Sequence, residues 1–228
     1  MLHRHRHHHH HHHHHLAEFA ALGVTIYLVG YALLEKKLLP RVLWKPVSQF
    51  YFYPMMLPNL LVRLATRRPY FTDVGEGVSM GAVPMVIAGH VATLHADGVR
   101  AVVNMQAEYG GPVAAYAALH PPIEQLRIPV VDHTEPSLEQ LEEAVAFIAR
   151  HRELGERVYI HCKGGHGRSA AVAMAWLMSV EGGALTPEAA QNRLSSMRSV
   201  RSTLYKQEAI LEFFHKHGAI AAGRASKA

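Results

Sequence analysis

One cysteine in 228 residues excludes an internal disulfide, so the fold rests on its apolar core and the thiol suits a reducing compartment such as the cytosol or mitochondrial matrix. The same scarcity removes a resolving partner for that thiol. Acidic residues are also few, 18 against 23 Lys plus Arg. The positive excess favours an anionic partner but is too small for a protein that coats nucleic acid. Phosphorylated small molecules, anionic lipids and phosphoproteins fit. No internal repeat is present, and the length suits one ordinary domain plus an accessory segment.

What is abundant sits at the amino terminus. Residues 1–15 are mostly histidine with Arg4 and Arg6, a tract that reads either as a tag or as natural low complexity and that is set aside in reading the fold. Residues 16–34, LAEFAALGVTIYLVGYALL, carry Glu18 as their only charge. They approach the roughly 20 residues a spanning helix needs. Gly23, Thr25 and Gly30 suit a membrane helix, and no small-residue cleavage site follows, so the segment reads as a retained anchor. Lys36, Lys37, Arg41 and Lys45 outnumber Arg4 and Arg6, which puts the remainder of the chain on the cytosolic or matrix side. Residues 35–69 form a basic, aromatic arm. Its FYFYPMMLPNLLVRL stretch, interrupted by Pro54 and Pro58 and followed by Arg63, Arg67 and Arg68, suits either the membrane interface or packing on the domain.

Residues 70–219 alternate β-branched runs with helical periods. GVSMGAVP reads as the first strand, residues 85–96 as a helix, VRAVVNM as a strand, AAYAALH as a short helix and IEQLRIPVV as a strand. Residues 137–154 form an amphipathic helix with Ser137 and Gln140 as a capping box and Gly155 at its end. RVYIHC is a compact run, hence a central strand buried on both faces. Helices follow at 169–180, at 187–197 with Thr186 as cap, and at 204–217 ending at Gly218; residues 220–228 are a flexible tail. Strands separated by helices predict an α/β fold with a mostly parallel central sheet flanked by helices.

The lone cysteine sits in VYIHCKGGHGRSAAV, where the central strand runs into a turn and a helix. Ligands of such sheets bind beyond the carboxyl ends of strands. Lys163, Gly164, Gly165, His166 and Gly167 form a loop whose three glycines let successive N–H groups converge on one oxyanion, with the helix after them adding its positive end. Cys162 at the lip of this nest is expected as a thiolate nucleophile, with Arg168 clamping the phosphate. A buried structural cysteine beside a helix-starting turn is the plain alternative. Against it, His161, Cys162, Gly165, Arg168 and Ser169 match H-C-x-x-G-x-x-R-S/T, which chance supplies in roughly one chain in thousands. Ser169 is placed to hydrogen-bond the sulfur, and His161 reads as a buried orienting group. One carboxyl can act as general acid and then base. Asp132, at the end of RIPVVD, is the choice for that role, with Glu135, Asp97 and Glu108 as rivals.

These residues resemble the cysteine-dependent dual-specificity phosphatases, closest to the mitochondrial phosphatidylglycerophosphate phosphatase branch. The likeness runs from about residue 50 to 217 through FYPMMLPNLL, VSMGAVP, VVNMQAEYG, IEQLRIPVVDHTEPSLEQL, GERVYIHCKGGHGRSAAV and LEFFHKHG. It implies a protein tyrosine phosphatase-like fold, hydrolysis of phosphate monoesters through phosphocysteine, and no metal or other cofactor. It also implies a phosphorylated lipid head group or phosphoprotein as substrate, a monomeric domain, and residence on the matrix side of the mitochondrial inner membrane. Two departures stand out: QAEYGG replaces the branch's acidic E-E-Y-E loop, keeping Glu108 and Tyr109 as substrate-contacting candidates, and His166 stands where a basic residue is common. Phosphoinositide and phosphoprotein phosphatases are the enzymatic alternatives. A silent phosphate-binding scaffold is the remote one, disfavoured by the intact Cys, Arg and Ser.

Overall fold

The computed structural model describes residues 4–66, 69–182 and 184–225, with side chains from residue 18 to residue 217 apart from those at 57, 59, 64, 67, 68 and 183. Arg67 and Arg68 of the basic arm, and residues 1–3 and 226–228, lie outside it.

Five strands, β1 (Phe71–Gly75), β2 (Val78–Gly81), β3 (Val99–Asn104), β4 (Glu124–Arg127) and β5 (Arg157–His161), form one sheet in the order β1-β2-β5-β3-β4. β2, β5, β3 and β4 are parallel, and β1 pairs antiparallel with β2. The mostly parallel sheet expected from the alternating pattern is therefore present, with β5 at its centre. Along β5 the period of two decides which core each residue enters. Val158 and Ile160 face the larger core with α5 (Leu138–Glu153) and α6 (Arg168–Val180), while Tyr159 faces Val91, Leu94 and Tyr116 of α3 (His90–Ala96) and α4 (Val113–Ala117). α6 is buried along nearly its whole length. Its run of Ala170, Ala171, Ala173 and Ala175 lets it lie close against the sheet, which fixes its first turn at the end of β5.

Several boundaries differ from the sequence reading. β1 was not anticipated; it forms a hairpin with β2 through Glu76 and Gly77, both at positive φ. The helix expected over 85–96 starts only at His90, because Gly89 is left-handed. The strand expected through Val131 ends at Arg127, just before Pro129, which has no amide for a ladder. The last helical stretch is a 3₁₀ turn (Leu204–Lys206), then α8 (Glu208–Ala225), preceded by α7 (Pro187–Met197); Gly218 lies inside α8 instead of ending it. Ser137 and Gln140 do form the capping box of α5, and Thr186 caps α7.

Ahead of the sheet stand α1 (Arg4–Glu35) and α2 (Arg41–Ala65). Among the described residues one helix is long and apolar enough to cross a membrane, over Glu18–Glu35. Phe19, Leu22, Val24, Ile26, Leu28 and Val29 on it are exposed, whereas Leu34 is buried. The arm is helical despite Pro46, Pro54 and Pro58. It packs on the domain through Phe52 and Arg63 and on α1 through Tyr51, while Phe50, Tyr53, Leu61 and Val62 stay exposed.

Candidate active site

β5 ends at His161, and the chain turns through residues 162–167 into α6. Cys162 is 3% exposed; its Sγ accepts a hydrogen bond from the Gly165 amide at 3.2 Å and lies 3.3 Å from Ser169 Oγ. Burial alone would raise the thiol's pKa, but the Arg168 guanidinium, the Ser169 hydroxyl and amide and the Gly165 amide outweigh it and hold it below the ordinary value. Gly165 has φ +71°, and a Cβ there would meet the Gly81 carbonyl carbon at 2.5 Å. Both the turn and the close approach of β2 therefore require glycine at that position.

Arg168, in the first turn of α6, points back under the loop. Its two terminal nitrogens donate to Glu108 Oε1 and Oε2, each at 2.8 Å, and to Asp132 Oδ1 at 2.7 Å and Val130 O at 2.9 Å. Burial opposes its charge, and Asp132, Cys162 and Glu108 more than restore it. Asp132 sits across the cavity, with Oδ2 3.0 Å from Lys163 Nζ. Burial raises the proton affinity of this carboxyl, but Arg168 and Lys163 bring it far below the carboxylate range. Lys163 moves the opposite way and is pushed up on balance, the loss from burial being exceeded by Asp132.

These groups line one cavity of about 180 Å³ together with Tyr31, His133, Thr134, Gly164, His166, Gly167 and Arg201. Cys162, Lys163, Gly164, His166, Gly167, Arg168 and Asp132 are thus brought together as their spacing suggests. Ser169 and Gly165 lie behind the sulfur. His161 is fully buried beside Tyr159, and burial pushes its pKa down to about 3, so it is neutral.

Two of the substrate-contacting candidates are elsewhere. Glu108 does not face the cavity; its buried carboxylate grips Arg168 from behind. Tyr109 stacks on Phe52 of α2 with ring centroids 5.0 Å apart, outside the cavity lining. Among the rivals for the acid role, Glu135 pairs with Arg201 at 3.6 Å, and Asp97 caps α3 before β3, at the opposite end of the sheet. Asp132 itself is not on a strand but on the loop after β4. Tyr31, His133, Thr134 and Arg201 were not anticipated. His133 and Thr134 follow Asp132 directly and were within reach of a neighbour argument, but Tyr31 and Arg201 carry no local signal. Among the described residues no group of three or more His, Cys, Asp and Glu is placed to hold a metal.

A thiol at the end of a central parallel strand, held by the Gly165 and Ser169 amides and sharing its cavity with a guanidinium, is the arrangement of a cysteine phosphatase. Comparison with known proteins agrees. Residues 86–212 match the dual specificity phosphatase catalytic domain. The phosphatidylglycerophosphatase and protein-tyrosine phosphatase 1 of Mus musculus is 31% identical over 177 residues, 75% of this chain and 90% of that protein. The phosphatidylglycerophosphate phosphatase PTPMT1 of Arabidopsis thaliana is 32% identical over 167 residues, 72% of this chain and 48% of the relative. Among solved structures, PTPMT1 in complex with PI(5)P matches with a TM-score of 0.57 at 26% identity, over 67% of this chain and 99% of that one. The chain belongs to the dual specificity phosphatase family.

Proposed function

We propose that the protein removes the terminal phosphate of phosphatidylglycerophosphate, acting through phosphocysteine at a membrane surface. One observation carries the lipid part of this reading: Tyr31, near the end of the apolar helix α1, lines the same cavity as Cys162. The reacting loop then sits at the edge of a surface suited to lipid, where the exposed apolar side chains of α1 and α2 associate with a bilayer. The relatives named for phosphatidylglycerophosphate support the same substrate. A reduced thiol and the basic residues after α1 suit the matrix face of the mitochondrial inner membrane.

The Cys162 thiolate attacks phosphorus while the loop amides and Arg168 hold the non-bridging oxygens. The bond from phosphorus to the substrate oxygen breaks, and Asp132 gives that oxygen a proton. Water then attacks the phosphocysteine, losing its proton to Asp132, and the P–S bond breaks with Ser169 donating a hydrogen bond to the departing thiolate. Inorganic phosphate leaves. Asp132 is ionised in the free site because Arg168 and Lys163 face it. A phosphate dianion bound among those cations shares their charge and adds its own, which raises the carboxyl's proton affinity in the complex. Asp132→Asn is accordingly expected to lower kcat about 100-fold on an alkyl phosphate and much less on p-nitrophenyl phosphate, whose leaving group needs little protonation. An equal loss on both esters would remove Asp132 from the acid role.

The deciding assay measures phosphate release from phosphatidylglycerophosphate in mixed micelles, from phosphoinositides and from phosphopeptides. The lipid reading predicts a kcat/KM at least about tenfold higher for phosphatidylglycerophosphate than for any phosphopeptide. A phosphoinositide preference is the second reading, supported by the PTPMT1 structure solved with PI(5)P.

A further inference from the structure

We propose that the apolar helix α1 completes the active site, with Tyr31 as a positioning residue that holds the Lys163 ammonium at the cavity mouth. The proposal deepens the phosphatase reading above and rests on it. Lys163 Nζ lies 5.3 Å from the centroid of the Tyr31 ring, within the range of a cation–π contact, and 3.0 Å from Asp132 Oδ2 on its other side. The lysine is buried. Orientation separates an ammonium aimed at a bound phosphate from one turned away, and along its four-carbon stem that orientation is set by Asp132 on one side and the Tyr31 ring on the other.

Tyr31 is itself fixed from several directions. Its ring meets Tyr51 of α2 edge-on at 5.4 Å and His133 of the Asp132 loop at 6.2 Å. Tyr51 in turn donates to Tyr27 O at 2.9 Å, and Gly30 leaves room for its hydroxyl, since a Cβ there would collide with it. The second helix also reaches the loop directly: Arg63 donates to Gly164 O. The accessory helices therefore touch both residues that follow the cysteine, Lys163 through a ring face and Gly164 through its carbonyl.

Comparing Tyr31→Phe with Tyr31→Leu tests this in the 228-residue chain, because both replacements are apolar and lack the hydroxyl, and only phenylalanine keeps a π face. With p-nitrophenyl phosphate, a soluble ester, Tyr31→Leu is expected to raise KM about three- to tenfold with kcat within about twofold, and Tyr31→Phe to restore most of the loss. In a Lys163→Met background the Tyr31→Leu effect should vanish, since the residue it acts through is gone. Equal KM values for Phe and Leu, an effect that persists without Lys163, or one confined to micellar lipid would each overturn the proposal. The lipid assignment fails separately, in the wild-type substrate panel, and the soluble-ester readout does not depend on it.

Discussion

Cys162→Ser is expected to reduce phosphate release by at least about a thousandfold on every ester, while thermal unfolding shifts little. Serine fills almost the same space and can keep the contacts with Ser169 Oγ and the Gly165 amide, so packing is retained. What is lost is ionisation: the environment that depresses the thiol's pKa cannot make an alkoxide of a serine hydroxyl near neutral pH. The pH dependence follows with a definite sign. On the proposed mechanism the reactive form is the thiolate, whose population grows as pH rises through the thiol pKa. Depressing that pKa moves the acid limb of wild-type kcat/KM below the usual thiol range, while loss of the Asp132 proton in the complex sets the alkaline limb, so the profile should be bell-shaped with its acid side below the usual thiol range. Phosphate-release assays across pH and quenched-flow detection of a phosphoenzyme that survives alkali and hydrolyses in mild acid, as a P–S bond does, check both statements. A serine variant with wild-type turnover would end the nucleophile assignment.

The second large effect concerns Arg168, and it has two readouts. Arg168→Met removes the guanidinium that lines the cavity beside Cys162 and that the proposed mechanism sets against the phosphate, which is expected to lower kcat/KM by about a thousandfold. Arg168→Lys should recover little of this, because an ammonium cannot hold Glu108 through two parallel hydrogen bonds and still present its charge to the cavity. Stability responds as well. Glu108 is buried and receives both Arg168 terminal nitrogens at 2.8 Å, so Arg168→Met strands its carboxylate at a cost of about 3–5 kcal/mol. Adding Glu108→Gln should restore part of the stability in denaturant titrations and none of the activity. If the double variant unfolded as readily as the single one, Glu108 would not be the partner whose charge is left uncompensated.

This pairing explains why the reading of QAEYGG as a substrate-contacting loop went astray. The sequence places Glu108 four residues after the end of β3, hence on the correct rim of the sheet. Whether a carboxylate there faces outward to a ligand or inward to a guanidinium depends on the depth of the loop, which has no local signature. Tyr109 shows the same gap. Its partner is Phe52, far away in the chain and in a helix whose docking could not be deduced from its own composition. The exposed residues of α2 and its buried ones alternate on a helical period, so either the bilayer or the domain could have claimed the apolar side.

Local chemistry alone determined the strand, loop and helix around Cys162. β-branched residues end where glycines begin, a single sulfur stands at the junction, and an arginine follows at the spacing that returns it to the same centre. Those are short-range constraints, set by backbone sterics and by the reach of side chains a few residues apart. Tertiary structure decided everything that depends on segments meeting from afar: Glu108 beneath Arg168, Asp132 opposite Lys163, and Tyr31 of a hydrophobic helix forming part of the cavity wall. Such contacts are fixed by the packing of whole elements, and no window of sequence contains both partners.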